Sequence, residues 1–209
     1  FDNAATSWPK PAVTTAAMVE YAEEIGGSPG RSGHHRSIAA GRIIFEARSA
    51  LGELLGCDDP LRIIFTKNAT EALNIALLGI LNLGDHVITS SMEHNSVMRP
   101  LRYLESKGIV LSVLPCSTDG QLNTEDISAA IQPRTRMIVL HHASNVTGAI
   151  QPLGEVGKIA RDRGILFCVD AAQTAGALPI DVDAMAIDLL AFTGHKSLFG
   201  PQGTGGLYV

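Results

Sequence analysis

The chain has 209 residues, 45% of them hydrophobic and 18% charged, with a net charge of −5. That composition describes a globular domain with a real core rather than a disordered chain. The acidic balance excludes a general nucleic-acid binder, which needs a basic face, and no apolar run approaches the roughly 20 residues of a bilayer span, so no membrane partner is expected.

The first sixty residues set themselves apart. Residues 14–25 read as a helix. A loop dense in turn formers follows, Gly26-Gly27-Ser28-Pro29-Gly30-Arg31-Ser32-Gly33-His34-His35, and then a second helix over 38–55. From residue 61 onward short apolar runs alternate with helical stretches, the mark of an α/β layer structure. The spacing predicts strands at 63–66, 86–90, 110–114, 137–140, 166–170, 189–192 and 206–209. Between them it predicts a helix capped by Asn68 or Thr70, with Leu73, Ala76, Leu77 and Leu81 on its apolar face. Further helices run from Ser96 or Val97 to Lys107, from Thr124 to just before Pro133, and from after Pro152 to about Arg163, where Gly164 stops the last one.

Cys57, Cys116 and Cys168 are odd in number and show no metal spacing, so no metal site is expected and a reducing cytoplasm is. Cys168 lies inside an apolar run and reads as core. No secretory leader is legible. The chain opens on Phe1 and closes in strand-like Leu207-Tyr208-Val209, which reads as a piece of a longer polypeptide.

The chemistry gathers where strands end. Lys196 leaves the apolar run at 189–192 within Thr193-Gly194-His195-Lys196, in a turn closed by Gly200-Pro201. A lysine in a partly dry turn can carry a lowered pKa and form a Schiff base, although a lone lysine at a strand end also serves as an ordinary solvated cation. Asp170 ends another apolar strand, where a carboxylate can pair with a pyridinium nitrogen, and lysine plus aspartate is the equipment of a pyridoxal phosphate enzyme. Residues 66–72 join a strand to a helix N-terminus, an anion site or simply a capped helix. His94 can stack on a ring and handle protons, or sit as a surface histidine. Asn145 and Gln173 can donate to a ring oxygen or merely shape turns. All of these residues fall at strand C-termini, where doubly wound sheets collect ligands.

These segments, in this order, resemble the large domain of class V, fold-type I pyridoxal phosphate enzymes, and most closely cysteine desulfurases and their selenocysteine lyase relatives. Phe1-Asp2-Asn3-Ala4-Ala5-Thr6 resembles the family's N-terminal strand motif, and the Gly33-His34 loop its active-site entrance. Asn68-Ala69-Thr70-Glu71-Ala72-Leu73-Asn74 resembles its phosphate-binding turn, and Met92-Glu93-His94-Asn95 the segment with the stacking histidine. Ser144-Asn145-Val146-Thr147-Gly148 and Val169-Asp170-Ala171-Ala172-Gln173 come next, and Thr193-Gly194-His195-Lys196 resembles the Schiff-base motif.

The resemblance implies a fold-type I transferase large domain over 1–209: an N-terminal arm and helices over 1–60, an α/β core over 61–209, and a mostly parallel central sheet with helices on both faces. The C-terminal small domain is expected to lie beyond residue 209. It implies pyridoxal 5'-phosphate as cofactor, with Lys196 and His94 catalytic. Asp170 would face the ring nitrogen, and Gln173 and Asn145 the phenolic oxygen or substrate. Ala69, Thr70, Thr193 and His195 would hold the phosphate, while Ala4, Ala5, His34 and Asn145 would shape the substrate side. The implied reaction converts L-cysteine to L-alanine and leaves a persulfide on an enzyme cysteine, with a homodimer, a sulfur-acceptor protein and iron–sulfur cluster assembly as its setting. None of the three cysteines matches the acceptor's position, so the 209 residues alone are not expected to desulfurate cysteine usefully. A class V aminotransferase, a selenocysteine lyase or other lyase, and a non-catalytic assembly subunit of the same fold remain open on the motifs alone.

Overall fold

The computed structural model describes residues 2–31 and 33–209. Phe1 and Ser32, which fall in the opening motif and the entrance loop, lie outside the described residues. A seven-stranded sheet organises the chain. Its strands are β1 (Ile63–Thr66), β2 (His86–Ser90), β3 (Val110–Leu114), β4 (Thr135–His141), β5 (Leu166–Asp170), β6 (Leu189–Thr193) and β7 (Gly205–Tyr208). Their spatial order is β1-β7-β6-β5-β4-β2-β3. The strands from β2 to β6 pair in parallel. Strand β7 runs antiparallel to both β6 and β1. Two reversals cancel, so β1 points the same way as β6, and every strand but β7 ends on one edge. The order turns back between β2 and β4, the kind of switch point at which α/β sheets open a crevice.

Successive strand residues face opposite sides, and both sides are covered. On one side Val87, Met137, Val139, Cys168 and Ala191 pack against Leu73 and Leu77 of α3 (Ala69–Ile80) and Val97 and Leu101 of α4 (Asn95–Ser106). On the other, Ile88, Ile138, Leu140, Phe167 and Val169 meet Ile127 of α5 (Thr124–Ala130), Val156 and Ala160 of α6 (Leu153–Asp162), and Leu55 of the long helix α2 (His35–Leu55), which follows the short α1 (Ala12–Glu20). Burial on both faces is why these strands read as unbroken apolar runs rather than alternating ones. Each fully buried Leu, Ile or Phe contributes roughly 1.5–3 kcal/mol, which fixes the sheet that carries the site.

Several boundaries shift for physical reasons. The first helix is α-helical over Ala12–Glu20 and continues as one π-helical turn, Tyr21–Ile25, ended by Gly26 at φ 53°. The long helix starts at His35 because His34 Nδ1 accepts the Ser37 N–H at 3.2 Å. Helix α4 likewise starts one turn-residue early, at Asn95, with the His94 imidazole as its cap. An imidazole cap is invisible to the usual Ser/Thr/Asp/Asn rule. Among the described residues the opening segment forms no strand: residues 3–5 form a turn, in which the Ala5 N–H donates to Asp2 Oδ1 at 3.2 Å. No helix of the described residues is long and apolar enough to cross a membrane.

Candidate active site

A cavity of about 490 Å³ opens at the edge where the parallel strands end, a size typical of small-molecule sites. Ala69, Thr70, His94, Asn145, Asp170, Gln173, Thr193, His195 and Lys196 all line it, as do Ala4 and Ala5 of the N-terminal arm. His34 does not line it; this exposed residue caps the long helix instead.

Each wall has a local cause. Strand β5 carries Asp170 into the cavity floor, 5% exposed. Its Oδ1 accepts the Ala172 N–H at 2.9 Å and its Oδ2 the Ser96 hydroxyl at 3.3 Å. Burial pushes this carboxyl above its ordinary range, against the hydrogen bonds of Ala172 and Ser96 and the nearby His94 and His141. A cationic ring nitrogen at this spot would answer that burial directly.

Helix α3 starts beside it. Asn68 Oδ1 accepts the Glu71 N–H at 2.8 Å, and Glu71 Oε2 accepts the N–H of Lys67, just before the cap, at 2.6 Å, a variant of the capping box. The positive end of the helix dipole faces the cavity at Ala69 and Thr70 and suits a phosphate dianion. Gly205 permits this approach: a Cβ there would sit 2.7 Å from Asn68 Cα and 2.7 Å from the Phe192 carbonyl oxygen.

The Lys196 turn is tightly held. Gly194 N–H donates to Thr204 O at 2.8 Å, Gly200 N–H to Gly194 O at 2.7 Å, and Phe199 N–H to Lys196 O at 2.9 Å. Phe199 adopts a left-handed φ of 55°, unfavourable for a bulky residue; those bonds and the Thr14 hydroxyl, which donates to the Phe199 carbonyl at 3.1 Å, hold it there. From outside, the arm clamps the same turn. The His195 carbonyl accepts from Ser7 N–H at 3.1 Å, Thr6 Oγ1 at 3.0 Å and Lys10 Nζ at 2.6 Å. Ser7 Oγ lies 2.9 Å from the Lys196 carbonyl. Burial lowers the Lys196 pKa more than Asp170 and Asp2 raise it, which favours the neutral, nucleophilic amine. His195 is also pulled down, by burial and by the positive charges of Lys196 and Lys10.

The rim is looser. Gln173 Nε2 donates to Ala4 O at 3.1 Å, tying the arm to the loop after β5. Exposed Asn145 sits in a turn where Ser144 Oγ accepts from Val146 and Thr147 N–H at 3.2 and 3.3 Å. Ser96 and His141 also line the cavity, and neither stands out in the sequence. His94 Nδ1 lies 2.8 Å from Ser96 Oγ and 3.1 Å from Ser96 N, so Ser96 joins the His94 imidazole to the Asp170 carboxylate. Among the described residues no group of three or more His, Cys, Asp or Glu could hold a metal ion.

These donors define an α/β domain built to hold a phosphorylated, nitrogen-bearing ring: a carboxylate for the ring cation, a helix N-terminus for the phosphate, and a depressed lysine amine for an electrophilic carbon. The chain belongs to the aminotransferase class-V family, whose model matches residues 1–209. That family is pyridoxal phosphate-dependent, and the residues present fit the cofactor.

The chain is 42% identical to cysteine desulfurase IscS of Tolumonas auensis over 187 residues, covering 88% of this chain and 46% of the relative. To the Rickettsia akari protein of the same name it is 41% identical over 197 residues, covering 92% and 48%. It superposes on SspA in complex with cysteine with a TM-score of 0.94 at 35% identity, covering 100% of this chain and 60% of that one. The apo cysteine desulfurase of Thermococcus onnurineus NA1 gives a TM-score of 0.94 at 36% identity, covering 100% and 52%. The chain spans about half the length of the curated relatives it matches.

Proposed function

We propose that the protein to which these residues belong is a pyridoxal phosphate-dependent cysteine desulfurase, taking L-cysteine to L-alanine and passing the sulfur to a cysteine as a persulfide. The observation that carries this reading is that the Lys196 amine and the Asp170 carboxylate line one cavity, with the α3 N-terminus in the same wall. Likeness to named cysteine desulfurases over nearly the whole chain supports the choice of substrate.

When bound, the cofactor supplies an aldehyde that captures the substrate amine and a protonated ring that takes up the electron pair left by the departing α-proton. Lys196 would hold it covalently through Nζ and then, as a free amine, remove the α-proton. Asp170 would keep the ring nitrogen protonated. Ala69, Thr70, Thr193 and His195 would hold the phosphate, and His94 would stack on the ring. Gln173 and Asn145 would bond the phenolic oxygen or the substrate, beside Ala4 and Ala5. The sulfur step balances as attack of a thiolate on the substrate sulfur: an S–S bond forms, the C–S bond breaks, and the carbon keeps the electron pair and takes a proton to become alanine.

Cys57, Cys116 and Cys168 are free, and none of them lines the cavity. The acceptor cysteine therefore belongs to the remainder of the protein in this reading. A homodimer, a sulfur-accepting protein partner and a cytoplasmic location complete the proposal. Exposed Ile75, Leu78 and Tyr103 on α3 and α4 give the apolar face that a second subunit would cover. The test uses the full-length protein with L-cysteine, quantifying alanine and persulfide, beside Lys196→Ala. Equal amounts of both products, with loss of turnover and of the cofactor's visible band in the variant, support the reading. An oxo acid in place of alanine reassigns the protein to transamination.

A further inference from the structure

Glu93 directly precedes His94, yet the two side chains part ways. His94 is exposed at the cavity, whereas the Glu93 side chain is fully buried. Its Oε1 accepts from Ser90 Oγ at 2.6 Å and from His141 Nδ1 at 2.8 Å, and its Oε2 accepts the His141 backbone N–H at 2.8 Å. Burial pushes this carboxyl upward, and the bonds to His141 and Ser90 oppose that push. A buried carboxylate is a costly way to gain stability, since an apolar side chain of similar volume commonly does as well.

The imidazole is held from its other side as well. His141 Nε2 lies 3.2 Å from Gln151 Nε2. The orientation of the Gln151 amide is set by two backbone groups: Oε1 accepts the Leu122 N–H at 3.0 Å, and Nε2 donates to Gly120 O at 2.8 Å. An amide nitrogen only donates, so His141 Nε2 must accept and its proton must sit on Nδ1. The acceptor for that proton is Glu93. His141 ends β4, pairs in register with Asp170 on β5, and lines the same cavity. One carboxylate thus links the end of β2, the root of the His94 loop, and the residue beside Asp170.

Resting on the reading of the cavity as the cofactor site, we propose that Glu93 is a positioning residue. It fixes His141 as the Nδ1–H tautomer and staples the His94 loop to β4, so that His94 and Asp170 stay in register around the cofactor. A glutamine cannot replace it. With its oxygen at the Oε1 position, its NH2 meets the His141 backbone N–H. Flipped, its NH2 meets Nδ1–H, and the other tautomer would then point Nε2–H at the Gln151 amide.

The experiment compares wild type with Glu93→Gln in the full-length protein. Nitrogen-15 histidine spectra, assigned with a His141→Asn control and recorded with and without pyridoxal phosphate, are expected to show the His141 imidazole protonated at Nδ1 in wild type and not in Glu93→Gln. With L-cysteine, kcat is expected to fall roughly 10- to 100-fold, as for a small misplacement of reacting groups. KM is expected to change by less than about threefold, as for a loss felt mainly in the transition state. A His141 Nδ1–H signal retained in the variant, or an unchanged kcat, overturns the proposal. Wild type that takes up no pyridoxal phosphate would sink the site reading instead, while the spectra of the cofactor-free protein still decide the tautomer. If Glu93→Gln does not fold, His141→Asn and His141→Ala decide: asparagine keeps an N–H for Glu93, so a kcat about tenfold above that of alanine supports the role and equal values overturn it.

Discussion

Replacing Asp170 by asparagine separates what the fold wants from what the chemistry wants. In the absence of cofactor the carboxylate is buried and, among the described residues, meets two donors, the Ala172 N–H at 2.9 Å and the Ser96 hydroxyl at 3.3 Å. Asparagine keeps an acceptor for the first and offers its NH2 to the oxygen of the second. It therefore preserves both contacts and removes the desolvated charge. A buried charge so sparsely satisfied costs roughly 1–3 kcal/mol relative to the amide. At roughly 2–4 °C per kcal/mol for a domain of this size, the cofactor-free variant melts a few degrees above wild type near neutral pH. The difference has a direction in pH. Burial raises the folded-state pKa of Asp170 above its unfolded value, so the wild-type penalty is fully present above the folded pKa. It fades as pH falls through that value toward the unfolded one, and the advantage of asparagine fades with it. With cofactor the sign reverses: turnover falls by roughly 10²–10³-fold, the scale of losing one preorganised electrostatic partner. Calorimetry of the cofactor-free full-length protein across pH, paired with kcat, reads both. A cofactor-free Asp170→Asn protein that melts below wild type at neutral pH would refute the assignment of Asp170 as a destabilising, function-serving charge.

The same geometry fixes other outcomes. Gly205→Ala places a methyl group 2.7 Å from Asn68 Cα and from Phe192 O, so it costs roughly 1–3 kcal/mol in denaturant titration and weakens pyridoxal phosphate binding. Asn68→Ala removes the α3 cap at 2.8 Å. It lowers stability by about 1 kcal/mol and raises the Kd for pyridoxal phosphate, which equilibrium dialysis measures. Native protein challenged with a thiol reagent leaves Cys168 unmodified, because burial pushes its thiol far above the usual range. The half-buried Cys116 reacts before it, and peptide mapping of the labelled protein checks the order.

The sequence reading succeeds where the physics is local. Strands β1, β2, β3 and β5 begin and end where the short runs rich in Val, Ile, Leu and Phe do, because turn formers and helix caps bound each run in the sequence. The site loops are legible for a related reason: Asp170, His94, Asn145 and Lys196 each come at or just after the end of an apolar run, and parallel strands deliver their C-terminal residues to one edge. The features that escape are settled at long range. Ser96 earns its place through a carboxylate 74 residues away, and Glu93 through an imidazole 48 residues away. Nothing in the pattern Met92-Glu93-His94 tells a buried glutamate from a solvated one. The arm reads as a strand by resemblance, but it turns over residues 3–5 because its hydrogen bonds go to the His195 and Lys196 carbonyls rather than to a neighbouring strand. The reversed direction of β7 is likewise silent, since parallel and antiparallel strands carry the same apolar run.

The clamp of Thr6, Ser7 and Lys10 on the His195 carbonyl spans up to 189 positions of chain. A growing polypeptide makes residues 6–10 long before residue 195, so the arm cannot find its mates until the lysine turn has emerged. The lysine hairpin is thus latched only after the intervening strands have been made. A ribosome-bound chain halted before β7 would leave that hairpin ajar, and capture of the vitamin-derived aldehyde would report that β7 is in place.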